Sequence, residues 1–328
     1  MFCMQTTLVS SSPSKLYALL LKMRPLEGGH TLMPFSGDLV HAAFLNWVRA
    51  SAPDVAAWLH EGNKRRLFTC SSLQFPLPAF CMREAERNNV HLPLHLEKMY
   101  SVRVTLLLGE LFPLLYEALM RFNMHDDTVR QKPFMQLGKQ SLLLQETVMT
   151  DDAAGWCGFT SLNTLVENVK ALRIGKVQAL TLEFASLTAF NRSNQRDNRY
   201  GNHYAMLPLP LYIFPILANR WCEFAPPEYA HLVQRERIEQ YILDDGIVIH
   251  DYTLQPHRVT FTNHPQRGFV GTCTYHLRGP DEATTAEAPL SVRQQILLLA
   301  QFAFYAGIGY KTAQGMGQVR VTEGGTHV

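Results

Sequence analysis

The chain has 328 residues, a length that suggests about two domains. Its hydrophobic fraction of 47 % excludes intrinsic disorder of the whole chain. With 30 Lys and Arg against 28 Asp and Glu the net charge is only +2, which announces no general polyanion binder and leaves a local basic groove open.

Lys15–Met23 reads as a strand. Gly37–Arg49 reads as a helix, with Ser36 as its cap, Asp38 in its first turn and Val40, Ala43 and Trp47 at helical spacing. A short helix starts at Pro53, carries a Val55/Trp58/Leu59 stripe and ends at Gly62. Leu67–Phe75 and Tyr100–Leu108 read as strands, Gly109–Phe122 as a helix and Ser141–Thr147 as a strand. Residues 149–176 are mixed in composition and read as a linker with some helix. The second half repeats the rhythm: strand Val177–Phe190, helix Leu207–Phe224, strands Gly246–Phe261 and Gly268–Leu277, helix Ser291–Ala306 and strand Gly315–Val321. The last helix opens on Ser291-x-x-Gln294, a capping-box pattern, and is apolar nearly all round, so it should be buried.

Each half therefore reads β-α-β-β-α-β, and the chain reads as an α+β protein of two tandem ferredoxin-like, RRM-like domains. The domains are placed at 1–150 and 177–328, joined by the linker 151–176. The six cysteines form no C-x-x-C pair, which argues against a zinc ribbon and fits reduced thiols in a cytoplasmic protein. Met1–Leu21 lacks the basic start of a signal peptide, and no apolar run reaches the ~18–20 residues of a membrane span.

The most specific segment is Tyr305–Gly317, YAGIGYKTAQGMG. Its glycines, Gly307, Gly309, Gly315 and Gly317, need a backbone reason such as positive φ or close approach to a ligand. A dinucleotide fingerprint does not fit, because position 312 is Thr and the segment follows a helix and precedes a strand. A P-loop does not fit either, because the segment lacks the spacing of a Gly four residues ahead of a Gly-Lys-Thr. Two readings remain: a tight connection without a ligand, or a loop whose amides hold RNA phosphates together with Lys311 and Thr312.

A C-terminal helix, a G-h-G-x-K-T-x-x-G-h-G loop and a strand resemble the CRISPR-associated endoribonuclease that cuts repeat RNA into guide RNAs, a member of the RAMP superfamily. The resemblance extends to Gly37–Phe44, to Leu59-His60-Glu61 with Leu67-Phe68-Thr69, and to Glu183–Phe190, where Leu187 replaces the usual Pro. Gly268–Gly271 resembles the strand before the last helix. The resemblance implies metal-independent cleavage without a cofactor: a 2′-hydroxyl attacks the adjacent phosphate and leaves a 2′,3′-cyclic phosphate and a 5′-hydroxyl. It implies CRISPR repeat RNA as the partner. Effector-complex subunits and a second copy of the chain stay open as further partners.

That reaction needs a base, an acid and cations around the phosphorane. His60 matches the family's L-H-E histidine and lies off the Val55/Trp58/Leu59 stripe. Its helix C-terminus favours the imidazolium, while Lys64, Arg65 and Arg66 oppose it. Arg66 falls where some members place a catalytic Lys, and a guanidinium suits a phosphate clamp. The tyrosine those members carry corresponds to Leu45 here, so His41, off its own helix's stripe, is the next candidate and His30 a third. Each of these residues also has a plain structural reading, as a helix-end His, a solvated basic turn or a packed His. Lys64 and Arg65 join the RNA-binding candidates, as do Arg192, Arg196 and Arg199 of the basic loop Asn191–His203, where Tyr200 supplies an aromatic for single-stranded RNA. His91 and His95 have metal-like spacing, but Pro93 breaks the helix it needs. The rival function is a non-catalytic RNA-holding subunit of a CRISPR effector complex.

Overall fold

A computed structural model of the protein describes residues 14–60, 67–121, 134–150, 155–172, 177–191, 204–261, 264–279, 284–285 and 287–327. The chain divides into two compact units, Met1–Ser161 and Leu162–Val328.

The first unit begins with β1 (Lys15–Pro25), β2 (Thr31–Leu32), α1 (Gly37–Ser51), α2 (Pro53–His60) and β3 (Phe68–Cys70). It continues with α3 (Ala79–Asn88), β4 (Leu92–Pro93), β5 (Tyr100–Leu106), α4 (Leu111–Arg121), β6 (Phe134–Leu137), β7 (Gln140–Val148) and β8 (Gly158–Ser161). The main sheet runs β3-β5-β1-β7-β6, and its pairings are antiparallel. Taking β1, β3, β5 and β7 as strands one to four gives the ferredoxin-like order four-one-three-two. The register sets Leu19 opposite Val104 and Leu21 opposite Val102, so alternate residues of β1 build one apolar face. Along its other edge β1 pairs with β8 over Lys15–Ala18 and with β7 over Leu20–Pro25.

The second unit holds α5 (Leu162–Ala171), β9 (Ala179–Thr188), β10 (Phe190–Asn191), β11 (Tyr204–Ala205), α6 (Pro210–Phe224) and α7 (Pro227–Ala230). After these come α8 (Arg235–Leu243), β12 (Ile247–Thr260), β13 (Pro265–Leu277), α9 (Val292–Ala306) and β14 (Val319–His327). Its sheet runs β12-β13-β9-β14, the same order seen from the other edge. α6 and α9 cover the face carrying Leu182, Phe184 and Tyr275: Phe214 meets Tyr275 edge-on at 5.9 Å, and Trp221 meets Phe302 edge-on at 5.3 Å. The opposite face is polar, with Thr181 and Thr274 hydroxyls 2.9 Å apart and Arg320 Nε donating to Glu183 Oε2 at 2.7 Å. The tandem ferredoxin-like α+β architecture is thus present in both halves. Among the described residues no helix is long and apolar enough to cross a membrane.

Several local expectations change. The strand expected over Leu67–Phe75 shrinks to Phe68–Cys70, with one further bridge from Gln74 to Ser101. Residues 151–176, read as a linker with some helix, contain the strand β8 besides the helix α5. β8 extends the edge of β1, and α5 buries Leu162, Leu165, Val166 and Val169. The helix expected from Leu207 starts at Pro210, where the ring suits the first turn. It then runs through Pro215, which is buried in its interior. The last strand starts at Val319 rather than Gly315, because Gly315 and Gly317 take φ of +92° and +70°, outside the β region.

Ser36 precedes α1 but does not cap it by its side chain. Its hydroxyl instead accepts from Leu73 N at 3.0 Å, so a tertiary bond replaces the local one. The capping box of α9 forms: Ser291 Oγ accepts from Gln294 N at 3.3 Å, and Gln294 Oε1 accepts from Ser291 N at 2.9 Å. Nearly every side chain of α9 is buried, which explains the absence of a polar face in its sequence.

Candidate functional site

In the first unit two candidate histidines lie on consecutive helices. His60 is the last residue of α2 and is exposed, while Leu59 beside it is 4 % exposed and faces the core.

His41 differs. It lies off the Val40/Ala43/Trp47 stripe, yet it is 9 % exposed, its ring stacked on Phe68 with centroids 5.4 Å apart and planes at 17°. The reason is that α1 is covered on more than one side. Phe44 packs on Phe68 of β3, and Trp47 Nε1 donates to Phe134 O of β6 at 3.0 Å, so the buried arc is wider than one stripe. Leu45, at the missing tyrosine's position, is buried as well. His30 lies 3.5 Å from Glu27 in a pair exposed to solvent. His91 and His95 flank the short strand β4 and share no helix; His95 Nδ1 is 4.0 Å from Glu97. Among the described residues no group of three or more His, Cys, Asp or Glu could hold a metal ion. Lys64, Arg65, Arg66, Arg192, Arg196 and Arg199 lie outside the described residues.

The second unit builds the Gly loop between α9 and β14. Gly307 ends α9 with φ +67°, its amide still donating to Ala303 O. The loop then presses on the end of β9. Tyr310 N donates to Ala189 O at 2.9 Å, and Gly317 N donates to Leu187 O at 2.9 Å. Gly309 (φ +90°) comes so near that an added Cβ would stand 2.5 Å from Ala189 O. At Gly317 (φ +70°) it would stand 2.0 Å from Ile308 O, whose own amide donates back to Gly317 O at 2.9 Å. Glycine is required at both positions by φ and by space together. Gly315 closes a 3-10 turn over Thr312–Gln314 that Lys311 opens in the left-handed region, φ +54°.

Thr312 points inward. It is 7 % exposed, and its hydroxyl accepts from Arg220 Nη1 of α6 at 3.2 Å. Lys311 points the other way, to the turn between β12 and β13. Its Nζ lies 3.9 Å from the centroid of the Phe261 ring and 3.3 Å from His264 Nε2. The segment Asn191–His203 leaves from β10, whose ladder to β11 joins Phe190 to Ala205 and Asn191 to Tyr204, and Tyr204 meets Tyr310 at 5.5 Å. The Gly loop, the hairpin turn and the stem of the basic segment therefore converge in one place. The pattern of the sequence indicated the loop and both strands of the hairpin. Arg220, Phe261, His264 and Tyr204 join the site only through tertiary pairing, and nothing in their local sequence singles them out.

Comparison with known proteins agrees with this arrangement. The model of the CRISPR Cas6 N-terminal domain matches residues 16–167, and that of the CRISPR-associated endoribonuclease Cas6 matches residues 182–319. No curated protein matches the sequence significantly. A solved Cas6 product complex is 23 % identical, covering 94 % of this chain and 100 % of that one, with a TM-score of 0.68. A second Cas6 product complex is 21 % identical over 94 % and 100 %, with a TM-score of 0.63. Thermus thermophilus Cas6 is 23 % identical over 95 % and 100 %, at 0.59. Likeness at these identities establishes a shared fold, and the two domain models, matched in order along the chain, establish kinship. The chain belongs to the Cas6 family of CRISPR-associated endoribonucleases, RNA-cleaving proteins that process CRISPR repeat RNA.

Proposed function

We propose that the protein cuts CRISPR repeat RNA without a metal ion, by attack of a 2′-hydroxyl on the adjacent phosphate, leaving a 2′,3′-cyclic phosphate and a 5′-hydroxyl. The observation that carries this reading is the exposed imidazole of His60 at the C-terminus of α2, within the unit that matches the family's N-terminal domain. A histidine with a reference pKa of ~6.5 serves either proton transfer at neutral pH. In this scheme it withdraws the proton of the attacking hydroxyl or supplies one to the leaving 5′-oxygen. Arg66 screens the charge of the phosphorane, as a planar guanidinium does well. His41, packed on Phe68, is the second candidate for proton transfer.

The Gly loop holds the RNA backbone in the same reading. Its left-handed turn at Lys311 runs into a 3-10 turn, and the Lys311 ammonium supplies the cation for a backbone phosphate. Lys64, Arg65, Arg192, Arg196 and Arg199 add the positive charge for the flanking phosphates, and Thr312 holds the loop from beneath.

The test is cleavage of the cognate repeat RNA in EDTA. Wild type should cut and yield a cyclic phosphate. His60→Ala should lose about 10²–10⁴-fold in rate, the range of general acid–base catalysis, with an unchanged unfolding midpoint. Full activity of His60→Ala transfers the role to His41 or His30, and loss of wild-type activity in EDTA overturns the metal-free mechanism.

A further inference from the structure

Beside the Gly loop the second unit assembles an aromatic surface from three chain segments. Tyr310 and Tyr204 hold their ring centroids 5.5 Å apart with planes at 43°. Phe261 and His264 face each other across the hairpin turn at 5.8 Å, with planes only 11° apart. The ammonium of Lys311 lies between the two pairs, 3.9 Å from the Phe261 centroid and 5.6 Å from that of Tyr310. Phe261 is 3 % exposed and forms the backing, whereas His264 is exposed and Tyr204 and Tyr310 are half-buried. Burial raises the Tyr310 hydroxyl above its ordinary range, and Tyr204 raises it further, so Tyr310 is neutral at physiological pH.

Two residues below the turn, Arg258 and Arg267 stand directly opposite each other on β12 and β13, both exposed, on the face of the hairpin that alternation sets away from Phe261 and His264. Like charges in opposed positions destabilise a strand pair. A polyanion laid across them removes that cost. An aromatic face beside a fixed ammonium also suits a nucleotide: the base stacks on the ring and its phosphate meets the cation. A base within a duplex already has both faces covered, so only an unpaired one can use such a surface.

We infer that Tyr310 and His264, on either side of Lys311, form a stacking platform for one unpaired nucleotide of the bound RNA, with its base on the rings and its phosphate toward the ammonium. This rests on the reading of the protein as a repeat-RNA binder and adds the class of nucleotide that the Gly-loop region takes. Every base has a π face, so the platform selects unpaired over paired nucleotides and is tolerant of sequence.

The experiment uses the full chain and repeat RNA carrying 2-aminopurine at each unpaired position in turn. One position should be quenched on binding. Tyr310→Leu and His264→Ala should abolish that quench and weaken binding about tenfold, within the range of base–aromatic stacking. Tyr310→Phe keeps the ring and should retain both the quench and the affinity. Wild-type binding with no quenched position overturns the platform alone, as does unchanged quenching in both the Leu and the Ala variants. Failure of the wild type to bind repeat RNA overturns the underlying functional reading together with it.

Discussion

Arg220 Nη1 of α6 donates to Thr312 Oγ1 of the Gly loop at 3.2 Å, and each residue is only 7 % exposed. The same threonine presents its methyl carbon 3.0 Å from where a Cβ would stand on Gly307 and on Gly317. One side chain thus holds the loop through a hydroxyl on one face and a methyl on the other. Thr312→Val keeps the methyl contacts and removes the acceptor from a buried charged donor. Hydrogen bonds to charged groups contribute about 1.5–3 kcal/mol, so the variant should lose that much stability in urea unfolding. Thr312→Ser, which keeps the hydroxyl, should lose less. Equal stability of the valine variant and wild type would contradict the role given to this bond.

Gly317 carries the tightest approach in the loop. An alanine there would place its Cβ 2.0 Å from Ile308 O at a φ of +70°. The backbone must move, and with it the amide that donates to Leu187 O. Substitution where φ is positive costs more than the ~0.4–1 kcal/mol gained by stiffening the unfolded chain. Gly317→Ala should therefore be net destabilising by over ~1 kcal/mol and should weaken repeat-RNA binding more than His60→Ala does. Calorimetry with a binding titration measures both, and an alanine variant matching wild type in the two would show that the loop geometry is not required.

Burial pushes the Cys273 thiol in β13 up from 9.0 to about 11, with Asp251 adding to the rise and a hydrogen bond to Tyr275 opposing it. A folded state that keeps this proton while the unfolded chain releases it gains stability that is complete below pH 9 and lost as pH rises toward 11. The loss is at most about 3 kcal/mol, at 1.36 kcal/mol for each pKa unit. Urea unfolding between pH 8 and pH 11 should show that decline added to the one from Cys70, whose thiol burial also raises, and Cys273→Ala should reduce the slope. A cavity lowers stability equally at every pH, so the slope separates titration from packing. An identical slope in the variant would contradict the assignment.

Parts of the site were legible in one dimension because their causes are local. The four glycines of Tyr305–Gly317 announced positive φ, and Gly307, Gly309, Gly315 and Gly317 all have it. Ser291 and Gln294 announced a capping box, a contact made within four residues. Ser36 occupies the N-cap position read from the sequence but makes no side-chain cap, because Leu73 takes its hydroxyl from a distant segment. His41 looked peripheral to its helix and is buried, because α1 packs on more than one side and a single stripe understates the covered arc.

The sequence alone determined the alternation of strands and helices in both halves, the buried character of α9 and the need for glycine at the loop. Each follows from hydrophobic period, capping chemistry or backbone sterics, which act over a few residues. Only the tertiary structure decided which side chains surround that loop. Arg220, Phe261 and His264 are separated from Thr312 and Lys311 by about 50 to 90 positions. The order β12-β13-β9-β14 brings them together, and a strand order is fixed by long-range pairing that no local pattern encodes.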